Sequence, residues 1–335
     1  MKTPVGIAGF RGYSGAELVE ILSRHPHVEP VLLEHREAED RPRPLGRPGP
    51  RRIPLTPENA RAEGLAAALL ATPPEASMEL APGLLQAGVK VIDLSGAFRL
   101  GTVENYQRWY KEPHTQPELL AEAVYGLPEF CRTRIPGARL ISNPGCYPTA
   151  ANLAIKPLID AAAIDRAHGI VCDAKSGVSG AGRKATLKTS FCEVADNFSA
   201  YSILEHRHVP EVLRVSGLDE AEFSFTAQLI PIPRGILETI YFRAAESVHS
   251  AHDLLEIYES QYTGEPFVRL YAAGQVPDLA QVNHRNFCDL GIKFDPATRR
   301  SVVVSAIDNL VKGAAGQAVQ NLNLALGFPE TCGLL

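Results

Sequence analysis

The stretch PVGIAGFRGYSGAELVEILSRHP, residues 4–26, governs how the first part of this chain is expected to fold. A short apolar run leads into Gly9, Gly12 and Gly15, and apolar residues then recur at helical spacing up to the closing proline. A strand, a glycine turn and a helix in this order can bind a dinucleotide. The reason is that glycines let the backbone approach a pyrophosphate while the helix N-terminus offers free N–H groups. The same turn can also be purely structural.

The alternation of strand and helix continues beyond this stretch. Further strands are predicted at residues 28–35, 65–72 and 90–95, with a helix at residues 76–87. The segment at residues 37–52 is dense in Pro and Arg and is predicted to be a surface loop. Parallel strands joined by helices predict a Rossmann-type doubly wound α/β sheet, whose ligands lie at the carboxyl ends of the strands.

The pattern changes after residue 150. Long segments rich in β-forming residues predict a second, α+β domain with an extended mixed sheet and helices on one face; they lie at residues 169–180, 223–244 and 300–310. An apolar helix at about residues 313–326 is expected to return to the first domain. The chain is therefore divided into a dinucleotide-binding domain (1–145), a catalytic domain (146–312) and a C-terminal helix (313–335).

The composition of the 335 residues is that of a soluble globular protein. Apolar residues make up 45% and charged residues 21%, and the formal net charge of -5 gives no reason to expect nucleic acid or an anionic membrane as partner. The longest apolar runs are much shorter than the roughly 20 residues of a membrane-spanning helix. The N-terminus lacks the apolar core and cleavage site of a signal peptide, so a cytoplasmic location is expected.

Six cysteines are scattered along the chain without a CxxC pair, a pattern that favours neither a zinc site nor a disulfide framework. No metal is expected, and most of the six are expected to be buried as small apolar side chains. Cys146 needs a separate explanation, because it lies in SNPGCYPTA, residues 142–150, with a proline close on either side. The pattern alone leaves its role open.

Four further segments carry small or polar residues that can serve a chemical site. SGVSGAG, residues 176–182, can pass close to a flat ligand or be a plain flexible loop. EHRHVPE, residues 205–211, holds two histidines and by itself is typical of a polar surface turn. VIDLSGAFR ends in Arg99, either an anion clamp or an ordinary exposed arginine. IDNLVKGAAGQA, residues 307–318, places Asp308 and Asn309 at a helix start, where capping alone would explain both.

Taken in order along the chain, these segments resemble the N-acetyl-gamma-glutamyl-phosphate reductase family, relatives of aspartate-semialdehyde dehydrogenase. The matching pieces are GFRGYSGAELVEIL, VIDLSGAFR, YGLPE, SNPGCYPTA, SGVSGAGRKA, HRHVPE, PIPRGIL, NFCDLGI and SAIDNLVKGAAGQAVQNLNLALGFPET. The resemblance implies an enzyme of arginine biosynthesis that uses NADPH to reduce N-acetyl-L-glutamyl 5-phosphate to the 5-semialdehyde, releasing phosphate by way of a cysteine thioester. It also implies a homo-oligomer, either a dimer or a tetramer.

The resemblance assigns roles to individual residues. Cys146 matches the nucleophile, and a helix predicted at residues 148–158 would favour its thiolate. His206 is expected to be the general base and acid, with His208 as the alternative. The candidates for substrate binding are Arg99, Asn143 and Arg207. The candidates for cofactor binding are Gly9, Arg11, Gly12, Tyr13, Ser14, Gly15, Arg36, Ser176, Gly177, Ser179, Gly180 and Asn309.

Two positions depart from the family pattern. Ala97 stands where the family commonly has an aspartate, which removes a carboxylate near the phosphate site that the resemblance implies. Glu34 lies 19 residues after Gly15, where an acidic side chain bonds a ribose 2′-hydroxyl and selects NAD. Arg36 matches the family's arginine that faces a 2′-phosphate. Because a carboxylate would repel that phosphate, NADPH is favoured, with Glu34 turned away or paired with an arginine of the Pro/Arg loop.

Other functions fit parts of the pattern. A lysine-pathway relative reduces an aminoadipyl phosphate on a carrier protein, but that branch tends to lose the SNPGCYP motif that this chain keeps. A cysteine hydrolase would use Cys146 and His206 without a cofactor, and the glycine turn argues against it. A catalytically silent nucleotide sensor would not need an intact cysteine together with HRH. The sequence therefore predicts the reductase with a small-molecule acyl phosphate as substrate.

Overall fold

A computed structural model describes residues 2–35, 49–184 and 186–335. Its strands are β1 (Thr3–Ala8), β2 (Val28–Glu34), β3 (Arg52–Pro54), β4 (Ala67–Leu70), β5 (Lys90–Asp93), β6 (Val124–Tyr125), β7 (Leu140–Ser142), β8 (Ile170–Gly177), β9 (Ser199–Tyr201), β10 (Phe223–Ile230), β11 (Ile236–Arg243), β12 (Val268–Leu270), β13 (Cys288–Asp295) and β14 (Arg300–Ile307). Its α-helices are α1 (Tyr13–Arg24), α2 (Pro57–Ala62), α3 (Pro74–Gln86), α4 (Val103–Tyr110), α5 (Pro117–Glu122), α6 (Pro128–Cys131), α7 (Cys146–Asp160), α8 (Phe191–Val194), α9 (Val209–Ser216), α10 (Ala251–Tyr262) and α11 (Gly316–Leu326).

The described residues fall into two compact units. One holds the residues up to Val103, together with Pro113–Asn143 and Ala315–Leu335. The other holds Glu104–Glu112 and Pro144–Ala314. No pattern in the sequence indicated that the short segment Glu104–Glu112 would cluster with the second unit.

Over its described residues, the first unit carries a seven-stranded sheet in the order β3-β2-β1-β4-β5-β7-β6. Each pair of neighbouring strands in it is parallel. The central strands are apolar on both faces, as β4 is from Ala67 to Leu70, because a parallel sheet is covered on both sides. The predicted doubly wound sheet is confirmed.

The chain turns from β1 into α1 at Gly9, which has a φ of 73°. A Cβ atom at this position would lie 2.1 Å from the carbonyl oxygen of Ala71, the residue after β4. Only glycine tolerates both the left-handed conformation and this close approach. The first glycine of the motif is therefore required by the fold itself, whatever the turn binds.

Over its described residues, the second unit carries a mixed seven-stranded sheet in the order β12-β13-β14-β11-β8-β10-β9. β8 and β10 are parallel, whereas β11 is antiparallel to both β8 and β14. Along β8, β10 and β11, buried residues alternate with more exposed ones, and α7 packs against β11 and β14 from the buried face. The predicted mixed sheet with helices on one face is confirmed.

The burial of the cysteines differs from the expectation. Only Cys172 and Cys288 are buried among the six, and Cys192 is exposed. The remaining three lie at the ends of helices or in terminal turns, where side chains are only partly covered. The expectation that most would be buried is therefore wrong.

Candidate active site

A cleft of about 870 Å³ in the second unit brings together segments that are distant in the sequence. Its lining includes Cys146, Tyr147, Ser176, Tyr201, His206 and His208. The motifs SNPGCYPTA, SGVSGAG and EHRHVPE thus contribute to one cleft. The cysteine and both histidines singled out from the sequence lie in it.

Cys146 is the first residue of α7, and Gly145 before it is the N-cap in an extended conformation, with φ -67° and ψ 154°. The sequence predicts this helix from residue 148, whereas it begins at the cysteine itself. The first N–H groups of a helix lack intrahelical acceptors, and the helix dipole favours a negative charge beside them. A thiolate or an oxyanion at this position is stabilised for that reason.

A π-helical turn, Val311–Ala315, packs against the cysteine. A Cβ atom on Gly313 would lie 2.8 Å from Cys146 Cβ, closer than two such carbons approach in proteins. Glycine at this position therefore allows the turn to come this near to Cys146. The sequence predicted only a helix start here, since this contact joins segments far apart in the chain.

Both histidines of EHRHVPE are buried, with exposed fractions of 6% for His206 and 8% for His208, so the interpretation of the motif as a polar surface turn is wrong. The His208 backbone N–H donates to His206 Nδ1 at 3.2 Å. Burial, and to a lesser extent the charge of Arg207, lowers the pKa of His206 to about 4. Near neutral pH His206 is therefore an uncharged ring that carries its proton on Nε2.

Glu211 in α9 has a fully buried side chain that contacts Gly145, the residue before the cysteine, and His208. Its Oε2 accepts the Gly145 backbone N–H at 2.9 Å. Its Oε1 lies 4.0 Å from His208 Nε2. Sequence reasoning missed this residue, although two residues three apart at the start of a helix lie on the same face.

Two tyrosines add hydroxyl groups to the cleft that the sequence did not indicate. The hydroxyls of Tyr147 and Tyr201 lie 3.1 Å apart. Burial is the largest cause of a raised pKa in both residues. The pKa of Tyr201 is raised to about 12, and that of Tyr147 is raised well above its usual value. Both phenols are protonated at neutral pH and can donate hydrogen bonds.

The loop predicted to line a nicotinamide lies at the end of β8 and in the turn after it, and it includes Ser176, Gly177, Ser179 and Gly180. Asn309 fixes this turn, because its Nδ2 donates to Ser179 Oγ at 3.0 Å. Its Oδ1 accepts the Gly235 backbone N–H at 2.8 Å. The SGVSGAG loop is thus held by side-chain hydrogen bonds.

Helix capping explains Asp308 but not Asn309. Asp308 Oδ1 accepts the backbone N–H groups of Leu310 and Val311 at 2.8 and 3.2 Å. Its other oxygen accepts from Arg234 Nη1 at 3.1 Å, and the Asp308 side chain is fully buried. The Arg234–Asp308 ion pair therefore holds the turn that carries Asn309.

Arg99 and Asn143, the candidates for substrate binding outside the HRH motif, lie buried in the first unit. Arg99 Nε donates to the Asn143 carbonyl at 2.8 Å, and its Nη2 donates to the Leu94 carbonyl at 2.7 Å. The interpretation of Arg99 as an ordinary exposed arginine is wrong. Ala97, which replaces the family's aspartate, is fully buried, and its carbonyl accepts from His114 Nε2 at 2.8 Å.

The glycine turn of the first unit lies beside a groove of about 230 Å³, whose lining includes Gly9, Arg11, Gly12, His35 and Thr72. Tyr13, Ser14 and Gly15 form the first turn of α1. The groove therefore lies where the carboxyl ends of β1 and β2 meet the start of α1, the expected place for a nucleotide in this kind of sheet.

Glu34, at the end of β2, is paired with two arginines. Its Oε1 lies 3.0 Å from Arg11 Nη2 and 3.5 Å from Arg52 Nη1. Arg52 is the last residue of the Pro/Arg-rich segment. Arg36, the predicted contact of a 2′-phosphate, lies outside the described residues.

Two family descriptions match the chain. Residues 4–138 match "Semialdehyde dehydrogenase, NAD binding domain", and residues 146–309 match "Semialdehyde dehydrogenase, dimerisation domain". The solved structures with a similar fold include aspartate semialdehyde dehydrogenase II from Vibrio cholerae, with a TM-score of 0.74 and 20% identity over 98% of this chain and 99% of that one. Another is aspartate semialdehyde dehydrogenase with NADP from Candida albicans, with a TM-score of 0.70 and 15% identity over 97% of this chain and 98% of that one.

Curated proteins of much higher identity also match. The N-acetyl-gamma-glutamyl-phosphate reductase of Symbiobacterium thermophilum is 48% identical over 100% of this chain and 98% of its own length. The protein of the same name from Geobacter sp. (strain M21) is 46% identical over 98% of this chain and 97% of its own. Among the described residues, no helix is both long and apolar enough to cross a membrane. Since identity of this level extends over almost the full length of both chains, the chain belongs to the N-acetyl-gamma-glutamyl-phosphate reductase family.

Proposed function

We propose that this chain reduces N-acetyl-L-glutamyl 5-phosphate to N-acetyl-L-glutamate 5-semialdehyde with release of phosphate, a step of arginine biosynthesis. The observation that carries the proposal is Cys146 at the start of α7, in the same cleft as His206 and His208. The names of the curated relatives support the choice of substrate. The alternative reduction of an aminoadipyl phosphate on a carrier protein is not favoured.

In the proposed mechanism, Cys146 Sγ attacks the carbonyl carbon of the acyl phosphate. The bond from carbon to the phosphate oxygen breaks, phosphate leaves, and a thioester forms. The N-terminus of α7 supports this step, since it favours both the attacking thiolate and the oxyanion of the tetrahedral species. A bound reduced nicotinamide supplies the hydride. Cys146 is finally released as the thiolate when the aldehyde product leaves.

The two histidines are proposed to have different acid–base roles. His206 Nδ1 accepts the His208 backbone N–H, and the low pKa of His206 keeps the ring uncharged. These two observations support a role for His206 as hydrogen-bond donor to the oxyanion through Nε2. His208 is proposed to accept the thiol proton of Cys146, the reverse of the order expected from the sequence. Arg207 is exposed at the cleft, a placement that supports contact with an anionic group of the substrate.

The cofactor is proposed to bind at the glycine turn and at the loop after β8. The glycine turn and the groove beside it support the binding of a pyrophosphate, because glycines let the backbone approach a ligand closely. The residues proposed to hold this part are Gly9, Arg11, Gly12, Tyr13, Ser14, Gly15 and Arg36. The residues proposed to line the nicotinamide are Ser176, Gly177, Ser179, Gly180 and Asn309.

NADP is proposed rather than NAD because Glu34 is already paired. Its carboxylate lies against Arg11 and Arg52, which compete with a ribose hydroxyl for the same oxygen. A guanidinium at Arg36 would grip the 2′-phosphate with paired charged hydrogen bonds.

The reaction is tested with the purified chain, the acyl phosphate and NADPH, by following the absorbance of the reduced nicotinamide together with phosphate release. Cys146→Ser is expected to fold but to lose turnover, because a serine hydroxyl is too weakly acidic to form the adduct. Cys192→Ser changes an exposed cysteine and is the matched control. Without cofactor, mass spectrometry is expected to find the acyl group on Cys146; an adduct on another cysteine would contradict the mechanism.

The cofactor proposal is tested by steady-state kinetics with NADPH and NADH. Arg36→Ala is expected to weaken NADPH by about 1.5–3 kcal/mol, the scale of a charged hydrogen bond, and to leave NADH nearly unchanged. Arg24→Ala, at an exposed position of α1, serves as the control. A wild-type preference for NADH would instead make Glu34 the ribose ligand.

The functional assembly is proposed to be a homo-oligomer, a dimer or tetramer, formed through the open face of the second sheet. That face carries Val171 and Tyr241, which are cross-strand neighbours and are 46% and 44% exposed. The match to a dimerisation domain over residues 146–309 supports a second copy as the partner.

The dinucleotide-binding domain is proposed at residues 1–145, the catalytic domain at 146–312 and the returning C-terminal helix at 313–335. A cytoplasmic location is also proposed.

A further inference from the structure

We propose that Arg52 is a positioning residue that sets the cofactor specificity, because it ties Glu34 into an ion cluster and so prevents that carboxylate from selecting NAD. The inference rests on the proposed function, since it concerns the nicotinamide cofactor of that reaction. Arg52 acts through Glu34 and is assigned no contact with the nucleotide. It differs in this from Arg36, which is proposed to grip the 2′-phosphate itself.

Arg52 reaches Glu34 because β3 pairs with the end of β2. The two strands are parallel, with Leu32 opposite Arg52 and Glu34 opposite Pro54. Residues two apart along a strand lie on one face of the sheet, and paired residues of neighbouring strands share that face. The side chains of Arg52 and Glu34 therefore lie on the same face, and Arg52 Nη1 is 3.5 Å from Glu34 Oε1.

A second arginine and an aromatic ring complete the cluster. Arg11, in the glycine turn, places its Nη2 3.0 Å from the same oxygen of Glu34. The buried ring of Phe10 contacts both guanidinium groups, since its centroid lies 4.5 Å from Arg11 Cζ and 5.3 Å from Arg52 Cζ. A guanidinium at this distance from an aromatic ring is attracted to its face. The glycine turn, the end of β2 and β3 thus meet in one cluster.

This cluster lies where the adenosine ribose is expected. In a doubly wound sheet the ribose lies at the end of the second strand, and an acidic side chain there bonds its 2′-hydroxyl. The groove beside the glycine turn is lined by Phe10, Arg11 and His35, and His35 directly follows β2. The acidic side chain at this end of β2 is Glu34, which is not a bare carboxylate but part of the cluster.

The net charge of the cluster determines which ribose it favours. A lone carboxylate would repel a 2′-phosphate. With Arg11 and Arg52, the three side chains of the cluster sum to one positive charge, which attracts that phosphate. All three side chains are partly buried, so solvent screens their charges only in part. The residues of this corner therefore fit a phosphorylated ribose better than an unmodified one.

Arg52→Gln removes one positive charge and loosens Glu34. Isothermal titration calorimetry without substrate is expected to show a Kd of NADP that rises about tenfold, because the attraction of the phosphate is weakened. The Kd of NAD is expected to fall about threefold, because Glu34 can turn to the 2′-hydroxyl. Arg51→Gln removes the same charge from the adjacent residue, which pairs with Glu29 and Glu63, and is the matched control, expected to keep both Kd values. Equal changes for the two nucleotides, or no change, would overturn the proposal.

A double-mutant cycle tests whether Arg52 acts through Glu34. Glu34→Gln alone is expected to leave the Kd of NAD unchanged, because the tied carboxylate makes no bond to the ribose. Adding Arg52→Gln to this variant is then expected to leave NAD binding unchanged as well. Weaker NAD binding in Glu34→Gln would make Glu34 the ribose ligand and overturn the proposal. Tighter NAD binding on adding Arg52→Gln in that background would also overturn it.

Failure of the proposed function is distinguishable, because binding is measured without catalysis. A wild-type chain that binds NAD more tightly than NADP would overturn the proposed cofactor and, with it, the role of Arg52. A wild-type chain that prefers NADP, with a ratio of the two Kd values that Arg52→Gln leaves unchanged, would overturn the role of Arg52 alone. Turnover retained in Cys146→Ser would contradict the proposed mechanism and leave both Kd values unaffected.

Discussion

The role proposed for Cys146 rests on its position as much as on its thiol. The start of α7 favours the thiolate, and the π-helical turn at Gly313 packs directly against its Cβ. The proposed chemistry therefore depends on backbone geometry that a single added methyl group can disturb.

Gly313→Ala is expected to lower kcat by about 10²-fold, with a smaller effect on stability. The added Cβ would meet Cys146 Cβ at 2.8 Å, so one of the two must shift, and a displacement of this kind can cost a hundredfold in rate. Gly137→Ala is the matched control, since a Cβ there meets nothing within 4 Å. Steady-state kinetics and thermal unfolding of both variants check the expectation; a Gly313→Ala enzyme as active as wild type would contradict it.

His206 makes the stability of the fold depend on pH. Its pKa falls from 6.5 in the unfolded chain to about 4 in the folded protein, so between these values the unfolded chain binds a proton that the folded chain does not. The free energy of unfolding is therefore expected to decrease as the pH falls through this window, by about 3 kcal/mol in total from this residue.

Urea unfolding of wild type and His206→Gln across this pH range measures that contribution. The variant is expected to show a flatter dependence on pH, because it lacks the titrating ring. His252→Gln, which changes an exposed histidine of α10, is expected to leave the slope of wild type unchanged. Parallel curves for wild type and His206→Gln would show that burial does not depress this pKa.

At the scale of elements, the segment after β14 contacts the parts of the second unit that are proposed to be catalytic. Asp308 caps the turn, Asn309 holds the loop after β8, and Gly313 packs on Cys146. The Arg234–Asp308 ion pair anchors this segment to the connection between β10 and β11. One short stretch of chain therefore contacts both Cys146 and the proposed nicotinamide loop.

Arg234→Met is expected to destabilise the protein by about 3–5 kcal/mol, because it leaves the fully buried Asp308 carboxylate without its cation. Arg108→Met breaks the exposed pair with Glu220 and is expected to cost at most about 1 kcal/mol. Chemical denaturation of the two variants makes the comparison. Equal losses would mean that the buried pair has no special role in holding the turn.

For the whole molecule, the open face of the second sheet is the surface proposed to join two copies. Tyr241→Glu is expected to give monomers in sedimentation experiments, because the new charge would be buried without a partner in the interface. Leu335→Glu makes a similar change at an exposed apolar position of the first unit and is the control. A wild-type monomer, or a Tyr241→Glu variant that still associates, would contradict the proposed surface.

Much of the architecture could be predicted from the sequence. The glycine turn and the apolar strands predicted the parallel sheet, and the long β-rich segments predicted the mixed one. The limits of the elements were less accurate: α7 begins at Cys146 rather than at residue 148, and β5 ends at Asp93 rather than at residue 95. Capping groups decide such limits, and here the N-cap is a glycine whose N–H is bound by a side chain from a distant helix.

The alternation of strands and helices and the family could both be read from the chain, because they depend on local spacing and on contiguous motifs. The assignment of Cys146 as nucleophile stays a prediction. The burial of both histidines could not be read from the chain, nor could the bond from Glu211 to the backbone beside Cys146, 66 residues away. The physical reason is that burial and electrostatic environment arise where separate segments pack together. A buried carboxylate, a neutral imidazole and a glycine without room for a Cβ are properties of that packing, and no single segment encodes them.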